Sequence, residues 1–170
     1  MIKFGHESRE FEEAVRAYSS DLFRYAYWLC RDRSRAEDVV QESYVRAWKS
    51  WGDLRDRGAV KSWLFSIVRN EHLRGFERKS LEMDDRDVEE LELPVDYKMD
   101  VAIDVRRALG ALPASLREPL MMQVLGGFSC AEIAATLETT EGAIMTRLTR
   151  ARQTMRRLIE GDSAVNEVAR

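Results

Sequence analysis

The sequence predicts an all-α protein: two small helical domains joined by a flexible acidic linker, the second containing a helix-turn-helix. Three observations carry this. Apolar residues recur at three- and four-residue spacing along most of the chain, and no alternating run marks a strand. Only nine glycines and three prolines interrupt 170 residues. Residues 82–100 break the periodicity and hold nine acidic against two basic side chains. That divides the chain into a domain over residues 1–79, a linker over 80–100 and a domain over 101–170.

Ser8 stands where it can cap a helix from about Arg9 to Cys30, along which Phe11, Val15, Tyr18, Leu22, Tyr25 and Leu29 recur. Ser34, with Glu37 three residues later, has the capping-box pattern for a second helix from about Arg35 to Trp51. Val40, Tyr44, Ala47 and Trp51 form its inner stripe, while Asp38, Gln41, Glu42, Val45 and Lys49 fall elsewhere. Such a mixed acidic and polar face is either plain solvated surface or what a protein offers to a basic helical partner. Gly52–Gly58 reads as a loop. From Lys61 to about Arg78 a helix resumes, with Val60, Trp63, Leu64, Ile67 and Val68 on an apolar side. Ser62, Ser66, Arg69, Asn70 and Arg74 occupy the other, and Arg78 with Lys79 continues the positive end. Rings interleaved with Arg, Lys and Asn suit single-stranded nucleic acid, because rings stack on bases while cations follow phosphates. The alternative is that Trp63, Phe65 and Phe76 are all core.

In the second domain Val101, Val105, Ala108, Leu109 and Leu112 mark a helix closed at Leu112-Pro113. Ser115 opens another, with Pro119 tolerated in its first turn, and Gly126-Gly127 stops it. Ser129 and Glu132 form a capping box for a short helix with Ala131, Ile133, Ala134 and Leu137 as its apolar face. Glu138–Thr140 make a turn, Thr140 caps the next helix, and Ile144, Leu148, Ala151, Met155 and Leu158 face a core. Gly142, Thr146, Thr149, Arg150, Gln153 and Arg157 face outward, flanked by Arg147, Arg152 and Arg156. This is the helix-turn-helix recipe for a major-groove reader. An ordinary antiparallel helix pair with a solvated basic face shares the pattern. The polar tail after Gly161 is expected to fray.

Composition narrows the function classes. No apolar run is long enough to span a bilayer, and the N-terminus lacks a signal core, so a cytoplasmic protein without membrane insertion is expected. Cys30 and Cys130, a hundred positions apart, lack paired metal-ligand spacing; a site with His6 and His72 is the alternative to two reduced thiols, which is the reading taken, so neither metal nor cofactor is expected. No paired catalytic carboxylates, nucleophile motif or glycine-rich phosphate loop appears, so the chain is not read as an enzyme. The formal charge of −3 does not exclude nucleic acid. Residues 1–81 carry 16 basic and 13 acidic side chains and residues 101–170 carry 9 and 8, and binding depends on local patches.

The blocks AEDVVQESYVRAW, KSWLFSIVRN, ALPASLREPL, GGFSCAEIAATL and TEGAIMTRLTRAR occur in that order. Together they resemble a bacterial sigma factor of the extracytoplasmic-function group of the sigma-70 family, over about residues 10–160. The resemblance implies sigma region 2 in residues 1–79, sigma region 4 in 101–170, and a dissociable factor that gives core RNA polymerase its promoter specificity. It implies that Asp38, Gln41 and Glu42 dock on the polymerase. Lys61, Trp63, Arg69, Asn70, Arg74, Arg78 and Lys79 would read the melted strand of the −10 element. There an extruded base would sit in a pocket formed partly by Gly52–Gly58. Met145, Thr146, Arg147, Thr149 and Arg150 would contact the −35 element in duplex promoter DNA. An anti-sigma factor is expected as a further partner. Three positions depart from the family pattern: Arg74 replaces an acid, Glu138 a turn glycine, and Met145 a frequent base. A helix-turn-helix repressor would account for residues 129–158 but leave 35–79 without a purpose.

Overall fold

The computed structural model describes residues 3–82 and 103–168, with side chains over 5–75 and 105–160. Among the described residues the chain forms seven α-helices and no strand. They fall into two compact units, Met1–Glu92 and Leu93–Arg170. Most of the acidic stretch expected as a linker, and the start of the second domain at Val101, lie outside the described residues.

In the first unit α1 (Lys3–Cys30), α2 (Arg33–Lys49) and α3 (Val60–Glu82) pack pairwise against one another. The core is the meeting of their inner stripes: Leu22, Tyr25, Ala26 and Trp28 of α1, Ala36, Val40 and Ala47 of α2, and Leu64, Phe65 and Val68 of α3. The Tyr25 and Phe65 rings lie 4.9 Å apart. Phe65 is therefore core and not a stacking platform. Each fully buried large side chain contributes roughly 1.5–3 kcal/mol.

The helix boundaries differ from those expected. α1 begins at Lys3, so Ser8 is no cap; its hydroxyl donates to the Glu12 carboxylate at 3.5 Å, one turn on. α1 closes when Arg31 enters the left-handed region at φ 54° and its N–H donates to the Tyr27 carbonyl at 2.7 Å. Asp32 is then the first extended residue, and its carboxylate accepts the Arg35 N–H at 2.7 Å. Asp32, not Ser34, caps α2. After α2, the stretch Gly52–Gly58 is not a plain loop. It contains 3₁₀ turns at Trp51–Asp53 and Arg57–Ala59, and the Asp56 carboxylate accepts the Gly58 N–H at 2.8 Å.

In the second unit α4 (Ile103–Ala111), α5 (Ala114–Met121) and α6 (Cys130–Thr136) each pack on α7 (Glu141–Val168). Leu109, Leu112, Leu120, Met122, Ile133, Ile144, Leu148 and Ala151 form the core. Pro113, and not Ser115, precedes the first turn of α5. Arg117 is buried, and its guanidinium donates to the carbonyls of Gly110 (3.3 Å) and Leu112 (3.2 Å). It thereby satisfies backbone acceptors that the end of α4 leaves unmatched. α5 runs into a π-helical turn, Met122–Gly126. Gly127 ends it at φ 69°, and a Cβ on Gly126 would sit 2.8 Å from the Phe128 ring, so both glycines are required here.

Two details of the second unit differ from expectation. Ala131 is exposed, and α6 buries Ile133 and Ala134 instead, because its single inward row is too narrow to include position 131. α7 continues through Gly161 to Val168. No described helix is long and apolar enough to cross a membrane.

Candidate nucleic-acid interface

Three surfaces collect the candidate residues. On α2, Asp38, Gln41 and Glu42 are exposed at three- and four-residue spacing, so they share one side of the helix. Val45 and Trp48 continue this outer side at 50% and 42% exposure. Large apolar groups beside carboxylates on an exposed helix are what a docking face needs.

The second surface is an open cleft of about 280 Å³ between the end of α2 and the outer side of α3. Arg46, Lys49 and Ser50 line it from the first; Trp63, Ile67, Asn70, Glu71 and Arg74 line it from the second. Of the residues expected to read a melted strand, Trp63, Asn70 and Arg74 meet here. Lys61 and Arg69 do not line it. Lys61 lies 3.9 Å from Asp21 and 5.6 Å from the Tyr18 ring centroid, against α1. Arg69 is half-buried near His72. The side chains of Arg78 and Lys79 lie outside the described residues.

Gly52–Gly58 contributes no lining residue to this cleft. Arg57 explains why. Its guanidinium lies 4.2 Å over the Trp51 ring, donates to the Trp51 carbonyl at 3.1 Å and sits 3.7 Å from the Glu10 carboxylate of α1. These contacts hold the segment back against α1. Sequence reasoning also passed over Arg46 and Glu71. Glu71 is buried and ion-paired with Arg46 across the helix pair and with Arg74 at 2.9 Å. The signal available for it was an acid within a basic, aromatic helix.

Behind the cleft, Cys30 Sγ lies 3.4 Å from His72 Nδ1, and both residues are buried. Burial, with Arg35 and Arg69 adding positive charge, pushes the His72 pKa down to about 4. Burial pushes the Cys30 thiol up to about 11, against an opposing effect of Arg35 and aided by Asp32. The thiol is thus held protonated and unreactive near neutrality. Cys130 belongs to the other unit.

The third surface is α7. Ser129 Oγ accepts the Glu132 N–H at 3.2 Å, and the Glu132 carboxylate accepts the Ser129 N–H at 2.8 Å, so the capping box is complete. The Ser129 N–H and, at 2.8 Å, its hydroxyl both donate to this carboxylate and hold it below its usual pKa. Glu138 turns the chain at φ 51°, and Thr140 Oγ1 accepts the Ala143 N–H at 3.2 Å to start α7. Ile144, Leu148 and Ala151 are then buried, and Met145, Thr146, Thr149 and Arg150 are exposed on an arc of roughly 140° on the opposite side. Arg147 is half-buried at its edge.

The chemistry of this arc is specific. Thr146 and Thr149 each donate their hydroxyl proton to the backbone one turn back, at 2.9 Å, so they offer lone pairs and methyl groups outward. Such groups accept from base amines or contact thymine methyls. Met145, 57% exposed, offers an apolar, polarizable tip. Arg150 makes no ion pair among the described residues and retains its full fork of donors.

Comparison with known proteins gives a consistent result. A family model described as Sigma-70 region 2 matches residues 14–82, and one described as Sigma-70, region 4 matches residues 102–155. The ECF RNA polymerase sigma factor SigM of Mycobacterium tuberculosis is 30% identical over 151 residues, covering 88% of this chain and 76% of the relative. SigX of Bacillus subtilis, also an ECF RNA polymerase sigma factor, is 25% identical over 162 residues, covering 88% and 84%. The sigma factor RpoE solved with the anti-sigma factor NepR from Bartonella quintana is similar at TM-score 0.74 and 26% identity, over 89% of this chain and 98% of that one. CnrH, solved with the cytosolic domain of CnrY, shares the fold at TM-score 0.64 and 23% identity, over 91% and 90%.

Proposed function

The chain belongs to the extracytoplasmic-function group of sigma-70 factors, and we propose from that premise how its surfaces divide the work of promoter-specific initiation. It is an alternative sigma factor: a transcription initiation factor, not a catalyst in its own right. Asp38, Gln41 and Glu42, with Val45 and Trp48 beside them, dock α2 on core RNA polymerase. The α2–α3 cleft receives the melted strand of the −10 element, with Trp63 as a stacking surface and Arg46, Lys49 and Arg74 as phosphate partners. Lys61 and Arg69 support this surface from its flanks, and Arg78 and Lys79 extend it along α3. The arc of Met145, Thr146, Arg147, Thr149 and Arg150 enters the major groove of the −35 element.

One observation carries this reading: the same chain holds a cationic, aromatic-walled cleft in one unit and a capped helix-turn-helix with an exposed reading arc in the other. A repressor needs only the second. An anti-sigma factor that covers these surfaces keeps the protein inactive until a signal releases it; the complex of the similar RpoE with the anti-sigma factor NepR supports this reading. The protein acts in the cytoplasm, where the polymerase is.

Run-off transcription with core polymerase tests the reading. The purified chain should bind core and direct initiation at its own promoter; a chain that does neither would refute it. Asp38→Ala with Gln41→Ala should weaken core binding and leave duplex −35 affinity unchanged. Arg150→Ala should cost roughly 1–3 kcal/mol at the −35 element and leave core binding intact. Reversal of those two outcomes would overturn the division of labour.

A further inference from the structure

We infer that Glu71 selects the base held in the α2–α3 cleft, favouring cytosine or adenine, the bases that set an exocyclic amine beside a ring acceptor. The inference rests on the reading of this cleft as a single-strand site. Glu71 is the only carboxylate among the residues that line it. Its side chain is 9% exposed, so it is nine-tenths withdrawn from water. Arg46 and Arg74 both engage the same oxygen, Oε1. Oε2 takes no hydrogen bond or ion pair among the described residues. Oε2 therefore keeps free lone pairs in the open cleft, where a bound ligand can use them.

The ligand that completes it must donate. A carboxylate only accepts, and Glu accepts well from cytosine N4. Adenine N6 offers the same donor. Thymine O4 and guanine O6 in that place would meet Oε2 lone pair to lone pair. Guanine N1–H and thymine N3–H can also donate to Oε2, but each brings a flanking carbonyl, O6 or O4, beside the carboxylate, a repulsion that cytosine and adenine avoid. Asn70 lines the same cleft and has an amide donor for the neighbouring ring nitrogen, N3 of cytosine or N1 of adenine. Trp63 supplies a flat wall.

The test uses holoenzyme and promoter DNA with a pre-melted −10 region. Each adenine or cytosine of the non-template strand is replaced in turn by its analogue lacking the exocyclic amine. At one position, loss of the amine should weaken wild-type binding by about tenfold or more. The same loss should change binding less than about twofold in Glu71→Ala holoenzyme. Glu71→Gln, which keeps an acceptor oxygen, should restore part of the discrimination. A structural role for Glu71 alone would lower affinity for every analogue equally. The inference is overturned if no amine of that strand matters to the wild type, or if Glu71→Ala responds to its loss as the wild type does. The first of these measurements requires no variant to fold. Failure to initiate at any promoter would instead strike the functional reading on which the inference rests.

Discussion

Glu138 holds φ at 51° in the turn between α6 and α7. A side chain with a Cβ pays roughly 1 kcal/mol for that conformation, and glycine does not. Glu138→Gly should therefore raise the stability of the second unit by about 0.5–1 kcal/mol, seen as a higher midpoint in urea with an unchanged slope. A lowered midpoint would show that the Glu138 side chain makes a compensating contact. His72 supplies a second residue-scale expectation. Its pKa is about 4 in the folded protein against an ordinary 6.5. Between those values the unfolded chain binds the proton and the folded one does not, so stability falls as pH drops through 6.5 and levels off below about 4. The loss is on the order of 3 kcal/mol, a large share of the 5–15 kcal/mol typical of a domain. His72→Gln should flatten the profile of urea midpoints between pH 6.5 and 4. Parallel profiles for the two proteins would remove His72 as the cause.

At the scale of elements, periodicity was legible, and so were the caps of α6 and α7 at Ser129 and Thr140, but the ends of the first-unit helices were not. The inner stripes of α2 and α7 follow from residue spacing alone, because a helix must bury whatever recurs at 3.6. The cap of α2 does not, because it depends on where α1 stops. Ser34 with Glu37 has the capping-box pattern, yet Arg31 turns left-handed first and hands the role to Asp32. Asp32→Ala should accordingly cost about 1 kcal/mol, and Ser34→Ala close to nothing, by equilibrium unfolding. Equal losses would restore Ser34 to the cap. The cleft was illegible for a related reason. In sequence Arg46 and Lys49 read as an ordinary basic helix end and Glu71 as one acid among many. Only the crossing of α2 and α3 brings them onto one cavity with Trp63 and Asn70. The reading arc of α7, by contrast, is local to one helix, and its exposed members stand where spacing put them.

For the whole molecule, charge is distributed against its apparent function: a formal −3 on a protein that must approach DNA. Nine of the acids fall in residues 82–100, between two stretches that are slightly basic. Acids tethered between two DNA-reading units repel phosphate over about a Debye length, roughly 8–10 Å at physiological salt. They therefore weaken the free chain most, because it has nothing else to hold it on DNA. Polymerase contacts supply much of the affinity of the holoenzyme, so the same repulsion matters less there. Replacing the nine acids by their amides would take the formal charge from −3 to +6. The free variant should then bind duplex promoter DNA about tenfold more tightly at low salt, and the gain should shrink as salt rises. Holoenzyme affinity for the same DNA should change much less. Equal affinity of wild type and variant at low salt would show that the acidic stretch does not restrain DNA binding.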